Sequence, residues 1–298
     1  MDLQMSFNQV NDSSFFGSNV KPFKTQLLKW IGNKQRFAHE IINYFPVRFN
    51  RYFEPFVGSG AVIGTLSPLN GYASDVIKPL IDIWNETVKN PKKVKTWYRN
   101  RYVFSNEVGK KEAYYEIRKR YNENPTPGDF LYLSRACYGG VIRFRKEDGY
   151  MSTPSGVHSP ITPESFDYRV DIWSERLKKC KFFCEDFEYL FYMARKGDVI
   201  YCDPPYITSQ QIVYGAQLFS IDRLIKSIEV AKSKGVYVLL SIDGSKKSGQ
   251  MLCDIDFPDK LFQREVMVNC GRSMLRRFQR EGDTLEDEVV SDRLLLTY

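Results

Sequence analysis

The sequence predicts an α/β fold: a mostly parallel sheet with helices on both faces, interrupted by one insertion. Three observations carry that expectation. Short apolar strands alternate with helical stretches in both the first and the last third of the chain. A glycine loop, Gly58-Ser59-Gly60, follows the first strand, where open α/β sheets bind their ligands. A central segment rich in Lys, Arg and aromatic residues breaks the alternation.

Residues 1–24 are polar and read as an arm. Phe37, Ile41 and Phe45, four apart, mark an amphipathic helix that Pro46 ends. Residues 51–56 form a short buried strand, followed by the glycine loop and an apolar turn over 61–66. A second strand covers 71–75. Pro79 opens a helix carrying Leu80, Ile83, Trp84 and Val88, which stops near Asn90-Pro91. Helical tracts follow at 92–103, 110–121 and 127–137. A hairpin over 141–153 turns at Glu147-Asp148-Gly149. After a helix at 163–178 the alternation resumes: strand 181–184, helix 187–195, strand 199–202, helix 220–234 and strand 236–241. Strands near 260–268 and 290–297 close the chain. The boundaries are an arm at 1–24, an α/β domain at 25–84 and 181–298, and an insert at 85–180.

Hydrophobic residues at 43% and charged residues at 27% exclude a disordered or low-complexity chain. No apolar run approaches the roughly 18 residues of a membrane span. The first residues lack the basic start and apolar core of a secretory signal, so a cytoplasmic protein is expected. Six cysteines without a Cys-x-x-Cys pair, and only two histidines, give no zinc or haem pattern. No metal is expected, and the cysteines should be reduced. The net charge of +7 is concentrated: residues 85–180 hold 19 Lys/Arg against 12 Asp/Glu, and the remainder is neutral. The same segment has 15 aromatics. That mixture suits a polyanion whose bases can be stacked, or a helical subdomain with a solvated basic surface.

The glycine loop is not a phosphate loop, because Gly-Lys-Ser/Thr is missing, and not a dinucleotide fingerprint, because Gly64 falls one residue late. A nucleoside without pyrophosphate fits better. Asp75, ending the second strand, either accepts from ribose hydroxyls or makes a strand-end turn. Asp186, after the third strand, either accepts from an adenine amino group or caps the following helix.

Asp203-Pro204-Pro205-Tyr206 follows the apolar strand at 199–202. An exocyclic amine on adenine or cytosine is a poor nucleophile, because its lone pair is delocalised into the ring. Two acceptors around the NH₂ draw it toward tetrahedral geometry. Asp203 supplies one, and a carbonyl beside Pro204 the other. Successive prolines fix φ and carry no competing N–H. Tyr206 offers a face on which an extruded base can stack. The matching electrophile is a sulfonium, which needs no metal; catalysis then rests on positioning and preorganised polarity.

These blocks together resemble the Dam-type adenine-N6 DNA methyltransferases, the D12 or alpha-group class. The resemblance runs from about residue 27 to 298. It covers Leu28-Lys29-Trp30-Ile31-Gly32-Asn33-Lys34, Phe53-Glu54-Pro55-Phe56-Val57-Gly58-Ser59-Gly60-Ala61, Ser74-Asp75, Tyr138-Gly139-Gly140-Val141-Ile142-Arg143-Phe144, Tyr201-Cys202-Asp203-Pro204-Pro205-Tyr206 and Asp292-Arg293-Leu294-Leu295. It implies a Rossmann-like AdoMet-dependent methyltransferase fold, with 25–84 and 181–298 as the catalytic domain and 85–180 as an inserted target-recognition domain. S-adenosyl-L-methionine would be the methyl donor, held by Trp30, Lys34, Glu54, Phe56, Gly58, Gly60, Asp75, Asp186 and Asp203. Asp203, Pro204, Pro205 and Tyr206 would form the catalytic site. Double-stranded DNA would be the partner, met by Lys29, Arg135, Tyr138, Arg143, Arg145 and Lys146. Arginine on a two-stranded ribbon can read guanine in the major groove. A second basic run, Arg272, Arg276, Arg277 and Arg280, is either a DNA-backbone loop or a solvated face. The implied enzyme is a monomer of a prokaryotic or phage-infected cell, with any cognate restriction endonuclease a separate protein.

Gly139-Gly140 stands where the family often has Asn-Gly, and Arg145 where it often has Asn, so GATC is not assigned as the target. Alternatives keep the amine chemistry on cytosine N4, RNA adenine or a protein glutamine amide. Another keeps only DNA binding on a relict fold. Serine commonly replaces Asp203 in cytosine enzymes, and asparagine in amide enzymes.

Overall fold

The first strand, β1 (Tyr52–Glu54), lies between β2 (Gly71–Ser74) and β4 (Val199–Cys202), parallel to both, in the computed structural model. That structure describes residues 20–205, 219–243, 245–246, 251–252, 257–272 and 289–298. β3 (Cys180–Phe183) extends the sheet beyond β2, and β5 (Tyr237–Asp243) extends it beyond β4, both in parallel. A ribbon, β6 (Ser245–Lys246) with β7 (Met251–Leu252), stands apart. β8 (Arg264–Arg272) and β9 (Val289–Leu296) complete the order β3-β2-β1-β4-β5-β9-β8, with β9 antiparallel to both its neighbours. The sheet is therefore mostly parallel. Its strand order reverses between β1 and β4, and a crevice opens beyond their carboxyl ends at such a point.

Burial explains the strand sequences. β4 is central and all four of its residues are buried, so it reads as an apolar run. In β1, Tyr52 and Phe53 point to opposite faces and join different apolar clusters. One cluster, under α8 (Phe187–Met193) and α9 (Ile221–Ser233), gathers Phe187, Leu190, Leu224, Ile228 and Val238. The larger one gathers Trp84 of α3 (Lys78–Lys89) and the insert's aromatics.

The insert contributes α4 (Pro91–Val108), α5 (Lys110–Glu123), α6 (Pro127–Ala136) and α7 (Pro163–Leu177). Three of these start alike. Asn90, Thr126 and Thr162 each accept from a backbone N–H three residues on, and each precedes a proline at the first helical position. Tyr98, Tyr114, Tyr121, Phe130, Tyr132, Phe166 and Trp173 are buried. The aromatic richness of this segment thus builds a helical core, with Tyr98 stacked 4.0 Å from Phe166. Asp129 is fully buried there. Burial would push its carboxyl up, but hydrogen bonds from Arg120 and the nearby Arg101 outweigh that and hold it below the usual aspartate value.

Several expectations need adjusting. The first helix shrinks to α1 (Ala38–Ile42), although Phe37, Ile41 and Phe45 are all buried as the spacing required. The expected turn at 61–66 is instead a helix, α2 (Ala61–Leu66), with every residue buried. Its polar ends are satisfied from elsewhere: Ile63 N–H donates to Glu54 Oε2 at 2.8 Å, and Arg176 donates to the Gly64 and Thr65 carbonyls. The hairpin at 141–153 is held by single bridges, Phe144 to Met151 and Cys137 to Ser155, rather than by extended strands. At the end of the segment read as an arm, Phe23 is buried against Trp173.

Candidate active site

The crevice at the sheet reversal is an open cavity. The glycine loop after β1 forms one wall, and Asp203-Pro204-Pro205 after β4 forms another. Both walls are strand ends, so the parallel pairing of β1 with β4 brings them together.

Gly58 sits at φ +44°, and a Cβ there would lie 3.0 Å from the Trp30 ring nitrogen. Only glycine lets the loop lie this close to the indole. Trp84 Nε1 donates to the Gly58 carbonyl at 3.1 Å, and Gly58 N–H donates to Asp75 Oδ2 at 3.2 Å. Asp75 Oδ1 accepts from Ile77 N–H. Asp75 thus makes the strand-end turn and also faces the cavity; desolvation raises its pKa to about 6. The late glycine, Gly64, has a packing cause: a Cβ there would meet Trp173 at 2.4 Å.

Glu54 lines the cavity floor. Tyr52 OH donates to its Oε2 at 2.6 Å, alongside the Ile63 N–H, and burial pushes its carboxyl up to about 8. Phe56, Phe187 and Phe219 form an aromatic corner with ring centroids 5.3 to 6.0 Å apart. Asp186 borders that corner. Its carboxylate caps α8 through Glu188 N–H and pairs with Arg223 at 2.9 Å, so it is both cap and cavity wall. Phe187 and Phe219 escaped the sequence reading, because aromatic residues in an aromatic-rich chain carry no distinguishing signal.

Trp30 and Lys34 reach the same cavity from the segment before α1. Lys34 is buried, with Nζ 3.1 Å from Asp203 Oδ1 and 2.9 Å from Asp292 Oδ2. Asp292 was read only as part of the closing strand. A lone acid ahead of Leu294-Leu295-Leu296 was the available signal. Trp30, Lys34, Glu54, Phe56, Gly58, Asp75, Asp186 and Asp203 therefore converge on one cavity, with Pro204 and Pro205. Gly60 stands behind it, at φ +66°, against Trp84 and Trp173. Tyr206 lies outside the described residues, as do Arg276, Arg277 and Arg280.

The residues assigned to DNA divide. Arg135 does not stand at a surface: it is 5% exposed, and its guanidinium donates to the Leu27 and Gln26 carbonyls. Desolvation lowers its pKa to about 10. Its role is to fix the backbone that leads to Lys29 and Trp30. Tyr138, Arg143, Arg145 and Lys146 are exposed, and Lys29 is partly so. Gly140 packs against Lys29, which ties the 138–140 turn to the cavity wall. Arg145 pairs with Asp148 at 2.6 Å and lies over the Tyr150 ring. Among the described residues no cluster of His, Cys, Asp and Glu could hold a metal, and no helix is long and apolar enough to cross a membrane.

The family model for the D12 class N6 adenine-specific DNA methyltransferase matches residues 30–272. The chain belongs to this family. It is 29% identical over 259 residues to a DNA adenine methylase of Haemophilus influenzae, covering 81% of this chain and 87% of the relative. It is 28% identical over 230 residues to a DNA adenine methylase of Vibrio cholerae, covering 72% and 79%. A Type II methyltransferase of Lactococcus lactis subsp. cremoris is 27% identical over 256 residues, covering 80% and 86%. As a D12 class member the chain is an adenine-specific DNA methyltransferase. That outcome displaces the alternatives of cytosine N4, a protein amide or a relict fold.

Proposed function

We propose that this D12 methyltransferase takes its methyl group from S-adenosyl-L-methionine and places it on N6 of an adenine swung out of duplex DNA. The single observation behind this is the continuity of one cavity from the glycine loop to Asp203-Pro204-Pro205. The lining suits AdoMet. Its walls are largely apolar, Gly58 lies close against the Trp30 indole, and the Asp75 carboxylate is available to ribose hydroxyls. The aromatic corner of Phe56, Phe187 and Phe219 suits a purine, with Asp186 beside it. Bound there, AdoMet supplies an electrophilic methyl carbon on a sulfonium.

The chain's own residues do the rest. Asp203 accepts a hydrogen bond from one N6–H, and a carbonyl at the proline pair accepts one from the other. This localises the lone pair on nitrogen and aims it at the electrophile. Lys34 holds the Asp203 carboxylate in place. Tyr206 offers its ring to the extruded base. Lys29, Tyr138, Arg143, Arg145 and Lys146 line the DNA side, mostly as phosphate contacts that set register. The protein acts as a monomer in the cytoplasm of a prokaryotic or phage-infected cell. A cognate restriction endonuclease would be a separate protein, in keeping with the Type II name of one relative.

The test is transfer of labelled methyl from AdoMet to duplex DNA, followed by nucleoside analysis. Label recovered as N6-methyl-2′-deoxyadenosine from DNA is the expected result. Label in RNA alone, or no transfer, overturns the reading.

A further inference from the structure

Lys34 is held between two carboxylates, and only one belongs to the tetrapeptide. Asp292 sits in β9, in register with Asp243 at the end of β5. It therefore stands at the same edge of the sheet where β4 delivers Asp203. Lys34 is 4% exposed and Asp292 5%. A carboxylate set in a strand whose next residues include buried Leu294, Leu295 and Leu296 is costly unless its charge is met. Nothing in the methyl transfer described above uses it.

We propose that Asp292 is a positioning residue for methyl transfer, anchoring Lys34 from the closing strand so that the ammonium fixes the Asp203 carboxylate where it receives the target amine. The inference rests on the reading of Asp203 given above. The lysine stem is long and flexible, and an ammonium is a point charge without a preferred plane. One carboxylate on the Asp-Pro-Pro loop leaves that stem several arrangements. A second, on a rigid sheet strand, removes them. Charge favours the arrangement too. One ammonium given wholly to Asp203 would neutralise it and weaken it as an acceptor. Shared between two carboxylates, it orients Asp203 and leaves the trio with one net negative charge.

The test compares Asp292→Asn, which keeps shape but loses charge, with Asp292→Glu and with Asp203→Ala. Turnover is counted per chain that binds AdoMet, so unfolded protein does not register. Asp292→Asn should lower kcat at least about tenfold while AdoMet Kd stays within about threefold. Asp292→Glu should recover most of the lost kcat. Asp292→Ser, smaller and also uncharged, is measured alongside and should behave as Asn does, so the outcome does not hang on the folding of one variant. Wild-type kcat in the uncharged variants, or equal loss in Asn and Glu, overturns the role of Asp292. If Asp203→Ala is inactive in that case, the reading of Asp203 stands. Turnover retained in Asp203→Ala, which has no acceptor, overturns that reading, and this inference with it.

Discussion

Two regions of this molecule bury a cluster of opposite charges, and they do so with opposite arithmetic. In the insert, one carboxylate, Asp129, receives two arginines, Arg101 and Arg120. In the cavity, one lysine, Lys34, receives two carboxylates, Asp203 and Asp292. Surplus cation satisfies a carboxylate completely, which suits a structural tie between α4, α5 and α6. Surplus carboxylate leaves an acceptor with capacity to spare, which suits a site that must grip an incoming amine. The contrast separates stability from function within one kind of interaction.

The sharpest way to break the contrast is to remove the functional carboxylate. Asp203→Ala should lower turnover by at least about a hundredfold while AdoMet binding stays measurable by calorimetry. The structural carboxylate should behave in reverse. Asp129→Asn leaves two arginines facing a neutral group. Because Arg120 is half exposed, the expected loss is about 2–3 kcal/mol in urea unfolding, with turnover per folded chain unchanged. The folded pKa of Asp129 is depressed, so its stabilisation is complete above the unfolded value of about 3.9 and fades as pH falls through the lower folded value. An acid-unfolding curve that does not move in the variant would remove that assignment.

A third measurement sharpens the cavity side. Asp75 titrates at about 6, raised by burial. If its ionised form holds the ribose, AdoMet affinity should fall about tenfold per pH unit below 6, and Asp75→Asn should flatten that dependence. The raised value also means that ionising Asp75 costs folding free energy, so its contribution to stability declines as pH rises from about 3.9 to 6. The smallest effect belongs to the surface. Arg145→Ala breaks an exposed pair with Asp148 and should change stability by less than about 0.5 kcal/mol. DNA affinity should still weaken, and the slope of binding against salt should become shallower by about one unit. An unchanged slope would remove Arg145 from the DNA surface.

Much of the α/β frame was legible because parallel strands announce themselves. The run Val199-Ile200-Tyr201-Cys202 is apolar throughout, as a strand covered on both faces must be, and it leads straight into Asp203. The helix opened by Pro79 was legible for a similarly local reason. α2 was not, because a helix buried on every side has no periodicity to read. Arg135 was misread because sequence places a charge but not its solvent exposure. A buried guanidinium satisfied by backbone carbonyls looks the same on the page as one facing phosphate. The pairing of Lys34 with Asp292 joins residues far apart in the chain, a relation no local pattern encodes.

The contact between Gly64 and Trp173 reaches beyond packing. Trp173 belongs to the insert, yet it fills the space behind the glycine loop, and its ring nitrogen holds the Thr25 carbonyl. Its neighbour Arg176 closes the far end of α2. The insert is therefore no detachable cassette. Exchanging residues 85–180 whole would remove Trp173 and Arg176 with the rest, and α2 and the glycine loop would lose their backing unless those two were kept.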